Sequence, residues 1–329
     1  MRLSSNRVPD RFYRGGPALG DFRGERVEAS HEPEDWVAST TCVHGGTRAG
    51  LTTLPHGQLL RDAIAAEPEQ WLGPVHVEHC GADPLLLVKL LHAGQRLPVH
   101  AHPCAADAAR LCGETHGKAE AWYIIRGGEV HLGLREEHDH EGLARLMRSR
   151  ESDLLAALHR VAVAPGDVVY VTPGTLHSIG AGVVLLEVQE PSDLSIMLEH
   201  EPYGLDPTRD GHLGVGYPAV LSAVTTSRLP MSRLKSLVYP AVASKQVLPV
   251  EADRYFRLER VIVDRPRRLE RGYAVLVVTA GTVSLRAGGR VLEAVKGSTF
   301  VAPFSLGPMV ATGRGEIIVC RPPQRGPVA

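Results

Sequence analysis

Short apolar runs, broken by many of the 34 glycines and 24 prolines, recur along most of the chain. The runs Leu85–Leu91, Ala121–Arg126, Glu129–Leu134, Val168–Val171 and Val183–Gln189 predict strands. Gly127-Gly128 separates two of them by two residues, the spacing of a tight hairpin. Helical patterns are few. Gln58–Ala65 is one, and Glu141–His159 is another, with Leu143, Leu146 and Met147 and then Leu154, Leu155 and Leu158 on one face. The second lies between strands and predicts a helical insertion, near 138–160, in a β domain. Segment 202–245 is irregular and rich in Gly and Pro, as a bridge between domains would be. From Tyr255 the strand rhythm resumes, with Phe256–Val263, Ala274–Thr279, Thr282–Arg286, Ser298–Val301 and Glu316–Cys320, punctuated by Gly281 and Gly288-Gly289. The pattern predicts a mainly β protein. Residues 1–235 would form one domain and 236–329 a second small barrel or sandwich.

The 329 residues supply ample core for this plan. Lys and Arg (36) almost cancel Asp and Glu (37), so a net charge of -1 argues against nucleic-acid and anionic-membrane partners. No run approaches the roughly 20 apolar residues of a spanning helix. The opening MRLSSNRVPDRFYRGG lacks the apolar centre of a signal peptide, so a cytoplasmic location is expected. Cys42, Cys80, Cys104, Cys112 and Cys320 are an odd, scattered set without a C-x-x-C and read as free thiols. Histidine is the unusual component. Of 16 in the chain, nine lie between His76 and His140 and none follows His212, which directs attention to the first two-thirds.

His100-Ala101-His102-Pro103 follows an apolar strand, and residues two apart on an extended chain point to one face. His100 and His102 can therefore enter a barrel interior together. The same alternation aligns Lys118, Glu120 and Trp122 in Gly117-Lys118-Ala119-Glu120-Ala121-Trp122-Tyr123. The strand at Val168–Val171 ends in a turn, Thr172-Pro173-Gly174-Thr175-Leu176-His177, that delivers a third histidine. Three imidazoles and a carboxylate suit zinc, iron, manganese, nickel or cobalt. A lone histidine is usually a satisfied core or surface residue; the combination of these three segments outweighs that reading. Cys104 reads as a loop thiol, and Glu136–His140 as an exposed loop.

These segments resemble the cupins, and more narrowly the type I mannose-6-phosphate isomerases. In that family a Q-x-H-P element, a G-K-x-E-x-W-Y element and a P-x-G-T-x-H element build a zinc site. Pro84–Leu91 resembles the family's P-L-L-V-K-L-L strand, and Val184–Glu190 with Ser192-Asp193 its V-L-V-E-I-Q-x-x-S-D run. The resemblance is strongest over 84–193. It implies two cupin (jelly-roll) barrels, with a helical insertion and one Zn2+ in the first barrel only. The implied ligands are His100, His102, Glu120 and His177. Lys118 is the implied acid–base group, Asp193 a second catalytic candidate, and a small sugar or sugar phosphate the substrate. Oligomeric state is left open.

The departures bear on substrate. His100 stands where the family has a ligand Gln, which makes the set three His and one Glu. Pro98 stands in place of a Ser associated with the substrate phosphate, and Met197 in place of a catalytic Arg. Losing a guanidinium removes a bidentate anion-binding group, which Arg96 or Arg209 would have to replace. A manganese or iron cupin oxygenase or decarboxylase and a non-catalytic sugar-binding cupin are the competing readings. The spacing of His102 from Glu120, together with Lys118 two residues before the carboxylate, favours the isomerase.

Overall fold

The strands that read as unbroken apolar runs do so because both their faces are covered. In the computed structural model, which describes residues 1–323 except Glu28, Arg150 and 241–246, the chain is organised around antiparallel sheets. The first strands are β1 (Arg2–Leu3), β2 (Glu34–Val37), β3 (Leu87–His92), β4 (His100–Ala101), β5 (Glu120–Arg126) and β6 (Gly128–Leu134). Then come β7 (Leu158–Val163), β8 (Val168–Val171), β9 (His177–Ile179), β10 (Val184–Gln189), β11 (Ile196–Met197) and β12 (Val238–Tyr239). The last are β13 (Arg257–Val263), β14 (Arg267–Leu269), β15 (Ala274–Ala287), β16 (Arg290–Val295), β17 (Thr299–Ala302) and β18 (Met309–Arg321).

A six-stranded sheet has the order β12-β8-β5-β10-β3-β2, and a five-stranded sheet the order β11-β4-β9-β6-β7. The third sheet runs β1-β17-β15-β18-β13, with β14 added on β18 and β16 on β15. Its N-terminal strand β1 pairs with β17, so the first residues of the chain help complete the C-terminal sheet.

Alternation sorts the side chains. In β15 and β18, Val275, Val277, Ile318 and Cys320 join one hydrophobic cluster with Ala121, Tyr123, Leu186 and Val188 of the six-stranded sheet. Their neighbours Leu276, Val278, Ile317 and Val319 turn to the opposite face and pack with Val261, Phe300 and Met309. The six-stranded sheet thus buries one face against the C-terminal sheet and keeps the other for a polar interior. The outer side of the five-stranded sheet is covered in turn. Val99, Ala101 and Ile196 cluster with Leu143 and Leu154 of the helices His140–Arg148 and Glu151–Ala156.

Three local expectations need correction. Gly127-Gly128 does not make a hairpin: β5 and β6 belong to different sheets. A Cβ on Gly127 would stand 2.4 Å from the Val163 carbonyl oxygen, so close approach accounts for the glycine. The pattern at Glu141–His159 is two helices, and Leu158 and His159 already belong to β7. Thr279 and Thr282 lie in one continuous β15; Gly281 (φ 70°) sits beside a register shift instead of a turn. Gly288-Gly289, both at positive φ, do form the two-residue turn into β16. The bridge 202–245 contains the short helices Tyr217–Val220 and Met231–Lys235; its residues 241–245 lie outside the described residues.

Candidate metal centre and active site

The two sheets of the first half bring the sequence-selected residues together. His100 on β4 is the register partner of His177 on β9, and His102 follows immediately after β4. Their ring centroids are 4.0 Å apart for His100–His177, 4.9 Å for His102–His177 and 5.0 Å for His100–His102. One nitrogen of each lies within 4.8 Å of the others. Each ring is oriented from behind. Nδ1 of His100 donates to the Pro98 carbonyl, that of His102 to Leu194 and that of His177 to Thr175, each at 2.8 Å. A carbonyl only accepts, so the proton is on Nδ1 and the Nε2 lone pair is available.

Glu120 enters from β5 on the facing sheet. Its Oε2 is 3.2 Å from His102 Nε2 and its Oε1 3.1 Å from His177 Nε2. Lys118, just before the strand, places Nζ 2.9 Å from His102 Nε2 and 3.3 Å from Glu120 Oε2. All five side chains are buried. Burial, reinforced by the other histidines, holds His100 well below the ordinary imidazole value, and burial with the Lys118 charge lowers His102 to about 3. Burial alone would raise the Glu120 carboxyl; Lys118, His102 and His177 reverse this and hold it well below its usual range. His100 and His102 are therefore neutral imidazoles beside the Glu120 carboxylate. His177 Nε2 and Glu120 Oε2 are buried without a hydrogen bond, a costly state that a cation at this point would relieve. The donor set and its unsatisfied atoms fit a divalent metal.

Register extends the polar interior across the six-stranded sheet. Trp36, Lys89, Glu187 and Trp122 stand opposite one another in successive strands. Trp122 Nε1 donates to Glu120 at 3.1 Å and to Glu187 at 3.3 Å. Burial and the Glu120 charge push Glu187 up to about 8. Lys89 lies 3.4 Å from both Glu34 and Asp193. Arg11, from the N-terminal segment, bonds Glu34 at 2.9 Å and both Asp193 oxygens at 3.3 Å. Burial opposes the Asp193 carboxylate, but Arg11 and Lys89 bring it below its ordinary value. Arg11, Glu34, Lys89, Glu120, Glu187 and Asp193 line a cavity of about 40 Å³ together with His100, Lys118, Pro98 and Met197.

Arg11, Glu34, Lys89 and Glu187 were not singled out in the sequence. Arg11 carries no periodic signal, and Lys89 and Glu187 are single charges inside apolar runs. The proposed replacements for the missing arginine fall elsewhere. Arg96 pairs with both oxygens of Glu199, at 2.7 and 3.2 Å, and Arg209 is exposed. Cys104 caps the helix Ala105–Cys112, where its sulfur accepts from the Asp107 amide. Asp139 likewise caps His140–Arg148.

No family model matches the chain. It is 26% identical over 325 residues to a probable mannose-6-phosphate isomerase, GmuF, of Bacillus subtilis, covering 94% of this chain and 95% of that one. It is 38% identical over 194 residues to mannose-6-phosphate isomerase ManA of the same organism, covering 56% of each. The crystal structure of the Bacillus subtilis mannose 6-phosphate isomerase superposes with a TM-score of 0.76 at 22% identity, over 97% of this chain and 98% of that one. The structural likeness establishes the two-barrel cupin fold, and the sequence likeness runs through the elements that assemble the histidine cluster. This chain is thus similar to mannose-6-phosphate isomerases, in sequence at low identity and in fold over nearly its whole length.

Proposed function

We propose that this chain is a metal-dependent aldose–ketose isomerase interconverting mannose-6-phosphate and fructose-6-phosphate or a closely related sugar. The observation that carries the reading is the cluster itself: three buried imidazoles with their Nε2 lone pairs available, a buried carboxylate, and an amine in contact with both. The names of the relatives support the substrate class.

His100, His102, Glu120 and His177 would hold the metal, with zinc favoured by the borderline N/O set and manganese, iron, cobalt or nickel as competitors. When bound, the metal would supply Lewis-acid polarisation of sugar oxygens. The reaction needs a proton taken from C2 while O1 gains one, giving an enediol; C1 then gains a proton as O2–H loses one. Lys118 is the proton carrier in this proposal, because its Nζ stands at the edge of the ligand cluster. Asp193 is tied to Arg11 and Lys89, a geometry that favours orienting those cations over proton transfer.

The same reading assigns 1–235 to a catalytic cupin and 236–329 to a metal-free one. The aliphatic interior of the C-terminal sheet and the lack of histidine after His212 support that division. Pro98 and Met197 in the cavity wall further imply weak discrimination for phosphate. The test is NMR of zinc-loaded protein with mannose-6-phosphate and free mannose side by side. Interconversion of the phosphosugar, with measurable turnover of free mannose, is expected. No ketose from either sugar would refute the isomerase. Strict dependence on phosphate would refute only the weakened discrimination.

A further inference from the structure

Arg11 is the arginine in the wall of the cavity shared by His100, Lys118 and Glu120. Its side chain is only 15% exposed, at a depth where an unused guanidinium would be a liability. Three of its five N–H groups go to Glu34 and Asp193; the other two, one on each Nη, have no partner among the described residues. The contacts to Asp193 are long, at 3.3 Å, while the Glu34 contact is 2.9 Å. Glu34 thus fixes the guanidinium through Nε and Asp193 spans its two Nη atoms, so the second N–H on each Nη is the part available to a ligand.

Charge decides what kind of ligand. Arg11 and Lys89 are already matched by Glu34 and Asp193. The pair of cations therefore offers little net positive charge to a phosphate dianion. An arginine neutralised in this way, with N–H groups to spare, is suited to an oxygen whose charge develops only during reaction. His100 and Glu120 of the cluster and Lys118 line the same small cavity, which puts the reacting end of the sugar beside the space Arg11 borders.

We propose that Arg11 is a catalytic residue, donating to the sugar oxygen that becomes negatively charged as the C2 proton leaves, before that oxygen is protonated. It rests on the isomerase reading. Arg11 is a contact to the reacting end of the substrate and not its phosphate anchor. The role falls to a residue from the N-terminal segment, outside every motif that identified the site.

The test uses zinc-loaded full-length protein carrying Arg11→Lys, which keeps the charge facing Glu34 and Asp193 but loses the planar fork. Folding is checked by circular dichroism and metal content by elemental analysis. Should Arg11→Lys lose the fold, the charge-neutral Arg11→Gln, read by the same two quantities at matched metal content, takes its place. Two quantities are read: the kcat and KM of interconversion, and calorimetric binding of glycolohydroxamate, a planar mimic of an enediolate. The expected result is a kcat lower by roughly 10²–10³-fold with little change in KM, and hydroxamate binding weaker by about tenfold or more. Unchanged kcat, or an effect confined to the KM of the phosphosugar, overturns the proposal. If wild-type protein turns over no sugar, the isomerase reading fails by itself. Hydroxamate affinity then separates the two: equal affinity in wild type and variant overturns the oxyanion contact as well, and a tenfold loss retains that contact while the catalytic role falls with the isomerase reading.

Discussion

The duties proposed for the cluster residues are separable by substitution. His102 is oriented by the Leu194 carbonyl and contacts both Glu120 and Lys118, so His102→Ala is expected to remove most of the bound metal by elemental analysis. Full occupancy in that variant would refute its assignment as a ligand. Lys118→Met is expected to keep the metal and lower turnover by roughly 10²–10⁴-fold, the usual contribution of a positioned acid or base. Wild-type turnover would reject the role. A third expectation lies outside the cluster. The hydrogen bond that His116 donates to Asp83 at 2.7 Å raises His116 above the ordinary 6.5, against the pull of burial. A raised folded-state value means that His116 stabilises the fold fully below about 6.5 and less as pH rises through the raised value. An NMR titration should show a midpoint above 6.5 that falls in Asp83→Asn. An unchanged midpoint in the variant would remove Asp83 as the cause. The residues legible in advance are those in period-two strands: His100, His102, Glu120 and Lys118 declared their common face. Arg11 did not, because its placement depends on a contact with Asp193, 182 residues away.

Among the elements, strands proved easier to read than the connections between them. β3, β5, β8 and β10 fall on expected runs because their two buried faces enforce apolar residues at nearly every position. Which sheet a strand joins is not written locally, and so two adjacent strands with a glycine pair between them were expected to pair with each other. The leucine pattern of Glu141–His159 concealed a change of element, since Leu158 serves β7 while packing in the same cluster as Leu143 and Leu154. One connection positions the site directly. A Cβ on Gly117 would lie 2.5 Å from the Ala105 nitrogen and 2.7 Å from the Cys104 carbonyl carbon. Those are backbone atoms of the loop leaving His102. Gly117→Ala should therefore wedge β5, which carries Glu120, away from that loop. The expected outcome is a loss of about 1–3 kcal/mol in denaturant unfolding, with weaker metal retention on dialysis. Unchanged stability and metal content would mean that the two segments yield without cost.

For the whole molecule, the two barrels divide the work. The six-stranded sheet is apolar toward the C-terminal barrel and polar toward the cluster, so the second barrel acts as a rigid back for the first. Tyr123 and Glu316, hydrogen-bonded across that boundary, join the two. The N-terminal segment supplies β1 to the far sheet and Arg11 to the cavity, binding the ends of the fold to its site. The central claim is that this scaffold holds a metal on which sugar isomerisation depends. The measurement that tests it most directly is NMR of fructose-6-phosphate incubated with metal-loaded protein, with protein stripped by a chelator, and with the stripped protein reloaded with zinc. The expected result is mannose-6-phosphate appearing with the loaded protein, none with the stripped protein, and recovery on reloading. Equal conversion after complete metal removal, or no conversion with the loaded protein, would contradict the account.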